Sequence, residues 1–149
     1  MTTHMKPEQP LIQPYLFFSG RCEEALHFYA DAIGAKTGML MRFRESPEPP
    51  PPGVTPADWD DKIMHAEFSV GDTVIMASDG CEPDGGFGGF SLSLTVTEAG
   101  EADRVFQALA EGGQVTMPMG GTFFAEKFGM VKDRFGVGWM IHFGSREPD

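Results

Sequence analysis

The stretch KIMHAEFSVGDTVIMASD, residues 62–79, decides the fold of this chain. Two runs of alternating or β-branched residues flank Gly71 and Asp72, which is the pattern of a β-hairpin. Side chains alternate between the two faces of a strand, so one face of the first arm is apolar: Met64, Ala66, Phe68 and Val70. His65 and Glu67 fall on the opposite face, about 6.8 Å apart along the strand. The apolar face is typical of a core, whereas the second face is either solvated or the floor of a pocket.

Size and charge restrict the classes of function. The chain has 149 residues, which suits one domain, and no apolar run in it approaches the roughly 20 residues of a membrane span. The net charge is −11, from 22 acidic and 11 basic residues. Because nucleic acids and anionic membranes are bound mainly through clustered Lys and Arg, we expect neither as a partner.

The chain termini and the cysteines bear on location. The first ten residues, MTTHMKPEQP, lack the basic start and apolar middle of a secretory signal. Cys22 and Cys81 show no CxxC or metal-type spacing. A reduced, cytoplasmic protein is therefore predicted.

One order of elements occurs twice along the chain. Residues 12–18 predict a strand, and an apolar stripe predicts the helix that follows: Cys22, Leu26, Tyr29 and Ile33. A strand over 37–44 and the central hairpin complete the first unit. Residues 90–97 alternate as a strand, and a helix ends at Gly112 and Gly113. Strands are then predicted over 114–119 and 137–143, with two further β segments over 122–128 and 129–133.

This repeat, with an offset of about 77 residues, predicts an α+β protein of two tandem βαβββ modules. Module one spans 12–79 and module two spans 90–145, joined by a linker over 80–89. Because one such unit buries only part of its sheet, we expect 12–145 to form a single domain, with tails at 1–11 and 146–149.

Two loops invite a functional interpretation. Residues 46–61, SPEPPPPGVTPADWDD, cannot form regular structure, so they are either a disordered segment or a lid over a site. Trp59 is the one residue that favours docking of this segment onto the rest of the protein. Residues 80–89, GCEPDGGFGG, resemble a nucleotide-binding loop. Such a loop must open a helix, and a strand is predicted after it, so we reject a dinucleotide site and a Rossmann-type methyltransferase.

Four segments together resemble one known superfamily. They are PYLFFSGRCEEALHFYADAIGA, IMHAEFSVGDTVIMASD, FSLSLTV and TFFAEKFGMVKDRFGVGWMIHF. The chain is similar over 12–143 to the PhnB-like group of the vicinal oxygen chelate superfamily, which includes glyoxalase I, bleomycin-resistance proteins and extradiol dioxygenases. The resemblance implies paired βαβββ modules around a concave cleft, a small-molecule ligand and a homodimer. Phe124 stands where members of the group usually carry Trp.

Metal-dependent members of that superfamily hold a divalent ion with one ligand on the first strand and one on the last or near-last strand of each module. The resemblance places Pro14, Met76, Ser91 and Met140 at these positions. Proline and methionine supply no carboxylate or imidazole, and a neutral serine hydroxyl is a poor ligand. We therefore predict no cofactor and discount glyoxalase and dioxygenase chemistry.

The alternative to the absence of a metal is a relocated site, which means a metal ion held by other residues than those of the superfamily's usual site. His65, Glu67 and His142 would meet the three-ligand minimum of a catalytic zinc ion if their strands converge.

The predicted pocket follows from the resemblance and from alternation. If Met76 and Ser91 face the cleft, the substrate-binding side chains are Leu16, Phe18, Met76, Ser91, Ser93, Phe124, Met140 and His142. A mostly apolar lining with a few polar groups suits a small molecule.

His65 and Glu67 are the predicted catalytic residues. A carboxylate that loses solvent becomes a better general base, and a neighbouring imidazole would orient the substrate or carry the proton. In the competing interpretation His65 is structural and Glu67 is solvated.

Three functions that involve a small molecule stay open, beside that of an interaction module whose sheet face pairs with a partner chain. The first is a PhnB-like small-molecule-binding protein of unknown activity, without the usual metal. The second is a protein that sequesters a drug or metabolite. The third is a metal-independent or relocated-metal enzyme of the lyase or isomerase type that uses Glu67 and His65.

Overall fold

The computed structural model describes residues 8–48 and 50–146. The chain divides into two compact units, Met1–Gly86 and Phe87–Asp149. The described part of each unit has one α-helix and one four-stranded sheet, in the orders β1-β4-β3-β2 and β5-β8-β7-β6. The first strand of each unit runs parallel to the last, and the other pairs are antiparallel. The predicted α+β fold of tandem βαβββ modules is confirmed, while a single domain over 12–145 stays a prediction.

Module one begins with a short strand and carries the predicted hairpin. Its elements are β1 (Tyr15–Phe17), α1 (Cys22–Ile33), β2 (Lys36–Arg42), β3 (Ile63–Val70) and β4 (Thr73–Ser78). The hairpin turns at Gly71, whose φ of 58° suits a residue without a Cβ. The strand pair on either side of it is antiparallel and in register from Ala66 opposite Ala77 to Val70 opposite Thr73.

Helix α1 covers the apolar face of that sheet. All four residues of the predicted stripe are buried, and Gly34 ends the helix in the left-handed conformation with φ 70°. The Tyr29 ring stacks on Phe68 with their centroids 5.5 Å apart. The Ala66 and Phe68 side of β3 is therefore the core side, as alternation predicts, and His65 and Glu67 lie on the side away from the helix.

Module two repeats this arrangement, and its first and last strands are longer than those of module one. It consists of β5 (Leu92–Val96), α2 (Ala99–Ala110), β6 (Gln114–Gly120), β7 (Ala125–Lys132) and β8 (Gly138–Ser145). Gly129 of β7 allows the Phe106 ring of α2 to lie against the backbone, because a Cβ there would stand 2.6 Å from Cε2. Trp139 and Ile141 are buried on the same sheet. The two strand segments predicted between 122 and 133 form one continuous strand.

The proline-rich segment is anchored at its end. The described residues of 46–61 contain no helix or strand, as predicted. Trp59 is 7% exposed, and its Nε1 donates a hydrogen bond to the Gly80 carbonyl at 2.7 Å. Lys62 lies over the Trp59 ring and donates to the Gly20 carbonyl at 2.8 Å. Trp59 is docked, whereas closure of this loop over a ligand stays a prediction.

Neither helix described in 8–48 and 50–146 is long and apolar enough to cross a membrane.

Candidate functional site

The open face of module one, which is the side of its sheet away from α1, is defined by strand register. Tyr15 of β1 lies opposite Met76 of β4, and Met76 lies opposite Glu67 of β3. Residues opposite one another in a sheet point to the same side, so these three side chains share the open face. Phe17 and His65 join them by alternation. The sheet thus brings the predicted residues His65, Glu67 and Met76 together.

Leu16 and Phe18 do not belong to this face, and their assignment to the pocket is wrong. Leu16 pairs with Ala77 and is 2% exposed, while Phe18 is 4% exposed with its ring 6.1 Å from that of Tyr29. Both side chains are buried on the helix side. Every residue from 15 to 18 is apolar or aromatic, so alternation does not say which side chains of β1 face the helix. The pairing of β1 with β4 decides this.

Tyr15, His65 and Glu67 form a hydrogen-bonded chain on the open face. The Tyr15 hydroxyl lies 2.9 Å from His65 Nδ1, and His65 Nε2 lies 3.5 Å from Glu67 Oε2. If the hydroxyl donates to Nδ1, the imidazole carries its hydrogen on Nε2 and donates it to the carboxylate. The Glu67 residue is 9% exposed although it is a carboxylate. A carboxylate so shielded, with an imidazole beside it, is suited to accept a proton from a bound molecule.

The Tyr15 hydroxyl is one group of this site that the sequence interpretation missed. Burial raises the pKa of Tyr15 above its ordinary value, and the nearby Ser78 side chain partly opposes this change. Tyr15 is therefore a neutral O–H donor at physiological pH. Its signal in the sequence, a polar aromatic residue within a strand, is not specific.

A cavity of about 480 Å³ lies beside this chain of groups in module one. It lies at the carboxyl ends of the parallel strands β1 and β4, and is lined by Phe17, Ser19 and residues between 79 and 86. Phe17 stacks on Tyr15 with the ring centroids 4.9 Å apart and the planes inclined by 22°. Phe17 therefore connects the cavity to the Tyr15 side of the hydrogen-bonded chain.

Asp79 holds the backbone around this cavity. It is 1% exposed, and its Oδ1 accepts hydrogen bonds from the backbone N–H groups of Gly20 and Cys22, at 2.8 and 2.7 Å. Its Oδ2 accepts from the Ile63 N–H at 2.7 Å. One carboxylate thus joins the end of β4, the start of α1 and the start of β3. The sequence interpretation did not identify it, because its partners are distant along the chain.

The remaining predicted binding residues lie on the open face of module two. Ser93 pairs with Met140, and Ser91 precedes β5 beside Gly138. The rings of Phe124 and His142 are parallel to within 2°, with centroids 6.3 Å apart. Phe124 also meets Phe128 edge-on at 5.1 Å. In the described part of the chain, the buried Nδ1 of His142 has no hydrogen-bond partner.

Pro14, Met76, Ser91 and Met140, which the resemblance places at the superfamily's metal positions, carry no carboxylate or imidazole. The Pro14 carbonyl accepts the Met76 N–H at 3.0 Å, so it is used in strand pairing. Met76 and Met140 offer thioether sulfur, which favours soft ions. Across 8–48 and 50–146, no group of three or more His, Cys, Asp or Glu is placed to hold a metal ion. The relocated set of His65, Glu67 and His142, which draws on both modules, stays a prediction.

Comparisons with known proteins agree with this fold. A family model described as 3-demethylubiquinone-9 3-methyltransferase matches residues 10–142. The chain is 35% identical over 146 residues to protein YjdN of Escherichia coli (strain K12). This match covers 92% of this chain and 97% of YjdN.

Two solved structures are similar as well. The crystal structure of protein PA1353 from Pseudomonas aeruginosa has 47% identity and a TM-score of 0.79, covering 91% of this chain and 98% of that one. The PhnB protein from Bacillus cereus has 28% identity and a TM-score of 0.73, covering 89% of this chain and 98% of that one. The chain therefore belongs to the family described as 3-demethylubiquinone-9 3-methyltransferase, the PhnB-like group of the vicinal oxygen chelate superfamily.

Proposed function

We propose that this protein binds a small organic molecule on the open face of module one and transfers a proton on it with its own side chains. Glu67 is the base, His65 orients it, and Tyr15 is the hydrogen-bond donor to the substrate oxygen. The observation that supports the proposal is the hydrogen-bonded chain that joins Tyr15, His65 and the shielded carboxylate of Glu67.

The reaction is proton abstraction next to a carbonyl group. Glu67 Oε2 accepts from His65, which leaves Oε1 to take a proton from the carbon beside the carbonyl. The electron pair moves onto the carbonyl oxygen, and the Tyr15 hydroxyl turns from His65 to donate to that oxygen. Glu67 exchanges this proton with solvent and returns one to the same carbon, which is hydrogen exchange. With an α-hydroxy ketone, Glu67 can instead return the proton to the former carbonyl carbon while the hydroxyl proton passes to the former carbonyl oxygen, which is isomerisation. No atom is lost and no oxidant is required.

A methyltransferase activity is not part of this proposal, although the description of the family model names one. Residues 80–89 lead into β5 and not into a helix, so they lack the strand–turn–helix order of a dinucleotide or Rossmann-type cofactor loop. Homodimer formation and a cytoplasmic location stay predictions of the sequence.

The test is hydrogen exchange in heavy water. Acetoin, cyclohexanone and 2-tetralone are incubated with the protein, and proton NMR follows deuterium uptake next to each carbonyl. We expect Glu67→Gln to lower the exchange rate by roughly 10²-fold or more, since positioned general bases contribute that much. Tyr15→Phe should lower it less, because the base is retained.

Glu126→Gln is the matched control, since Glu126 is an exposed strand glutamate of β7 in module two. It should leave the rate unchanged. Absence of exchange with all three ketones, or equal rates for wild type and Glu67→Gln, would refute proton transfer. Ketone binding without exchange would instead favour the sequestration function.

A further inference from the structure

Phe17 is a large aromatic side chain that the fold does not bury. It is 51% exposed at the end of β1 and forms part of the cavity of about 480 Å³. A cavity of this size has room for a molecule of two fused rings. An aromatic face turned toward such a cavity offers a ligand both apolar area and a stacking partner.

The Phe17 ring is held in place by its neighbours. Tyr15 stacks against it at 4.9 Å. The edge of the ring lies on the Gly80 backbone, where a Cβ would stand 3.0 Å from Phe17 Cδ1. Gly80 has a φ of 63°, so glycine is favoured there for its backbone as well as for this close approach.

Gly80 is itself fixed on both sides of its α-carbon. Its carbonyl accepts the Trp59 Nε1–H at 2.7 Å, and its N–H donates to the Ser78 hydroxyl at 2.9 Å. Trp59 and Ser78 are both buried. A ring fixed before binding loses little conformational freedom when a ligand stacks on it, which favours affinity.

The negative charge around the cavity further restricts the charge of the ligand. Its lining includes the acidic residues Asp79 and Glu82 and contains no Lys, Arg or His among the described residues. The Asp79 oxygens accept backbone hydrogen bonds, whereas Glu82 is exposed. The whole chain carries a charge of −11. A negatively charged ligand would be repelled, and a neutral or cationic one would not.

We infer that this cavity takes a planar aromatic molecule without negative charge, whose ring stacks on Phe17. The inference rests on the proposed binding of a small molecule at module one and names the chemical class of that molecule. The ring would lie against Phe17, and its polar substituent would point either to Glu82 or toward the Tyr15 hydroxyl.

The test compares three probes by isothermal titration calorimetry. They are 2-naphthylmethylamine, its fully saturated decahydro analogue and 2-naphthoate. The aromatic amine should bind most tightly. Phe17→Leu should weaken the aromatic amine relative to the saturated amine by about fivefold, which is the size of one aromatic pair. The carboxylate should bind more weakly than the aromatic amine by about fivefold or more, since it meets Glu82.

Phe90→Leu is the matched control, because Phe90 is 45% exposed and lies in the second unit, against Phe87. It should leave all three affinities unchanged, and thermal melting of each variant checks that it is folded. Equal loss for both amines in Phe17→Leu, tightest binding of 2-naphthoate, or no binding of the aromatic amine to folded wild-type protein would overturn the inference. Since these titrations measure binding only, they are read independently of the exchange assay on Glu67→Gln.

Discussion

Replacing Asp79 with alanine removes a carboxylate that joins three elements of module one. Arg21, which precedes α1, gives the helix no side-chain cap, and Asp79 supplies that acceptor from 57 residues away. The substitution leaves the N–H groups of Cys22 and Ile63 buried without partners and that of Gly20 partly buried. Each unpaired buried N–H costs about 1–3 kcal/mol, so we expect a loss of about 4 kcal/mol in the free energy of unfolding.

Asp79→Asn separates the acceptor role from the volume of the side chain. The amide oxygen can replace Oδ1 and keep the bonds from Gly20 and Cys22. The amide nitrogen then faces the Ile63 N–H, donor against donor. We expect this variant to cost about 2 kcal/mol, which is roughly one unpaired buried donor.

The assay is urea unfolding followed by fluorine NMR of protein labelled with 5-fluorotryptophan. The chain has two tryptophans, and Trp59 reports on module one while Trp139 reports on module two. Asp72→Ala, in the exposed hairpin turn, is the control and should change the stability by less than about 0.5 kcal/mol. A loss of less than about 1 kcal/mol in the stability that Trp59 reports for Asp79→Ala would mean that the hydrogen bonds of this carboxylate do not stabilise the module.

Two further predictions use the same measurement. Burial, aided by the charges of Asp79 and Glu23, raises the pKa of the Cys22 thiol well above its ordinary value, so the folded chain keeps a proton that the unfolded chain releases above about pH 8.5. The free energy of unfolding should therefore fall by about 2 kcal/mol between pH 8.5 and 10. Cys22→Ala should flatten this dependence on pH. An unchanged dependence in the variant would show that the buried thiol is not its cause. Gly129→Ala places a methyl group 2.6 Å from the Phe106 ring and should lower the free energy of unfolding by about 2 kcal/mol. In the control, Gly120→Ala, the added methyl group meets nothing within 4 Å, so the stability should hardly change. Equal losses in the two variants would be evidence against overcrowding at Gly129.

Much of the fold could be predicted because its signals are local. The stripe from Cys22 to Ile33 has the period of a helix, and the hairpin arms around Gly71 have the period of a strand. The repeat of one element order then indicates two modules. His65 and Glu67 could be placed on the face away from the core because Ala66 and Phe68 are apolar neighbours that alternate with them.

The phase of β1 could not be predicted in this way. Residues 15–18 are all aromatic or apolar, so no polar–apolar alternation says which pair faces the helix. The decision comes from pairing with β4, where Tyr15 lies opposite Met76. That pairing replaces two predicted binding residues with two others and adds the Tyr15 hydroxyl to the site.

The sequence by itself determined the elements of this protein, their order and the polar pair on β3, because these depend on residues within a few positions of one another. The tertiary structure decided which aromatic residues of β1 reach the open face, that Asp79 caps α1, and that Trp59 and Ser78 hold Gly80 beneath Phe17. These contacts join strands, loops and a helix that are distant along the chain. Hydrogen bonds and ring contacts form wherever folding brings donor, acceptor and ring within reach, and no short sequence pattern encodes that distance.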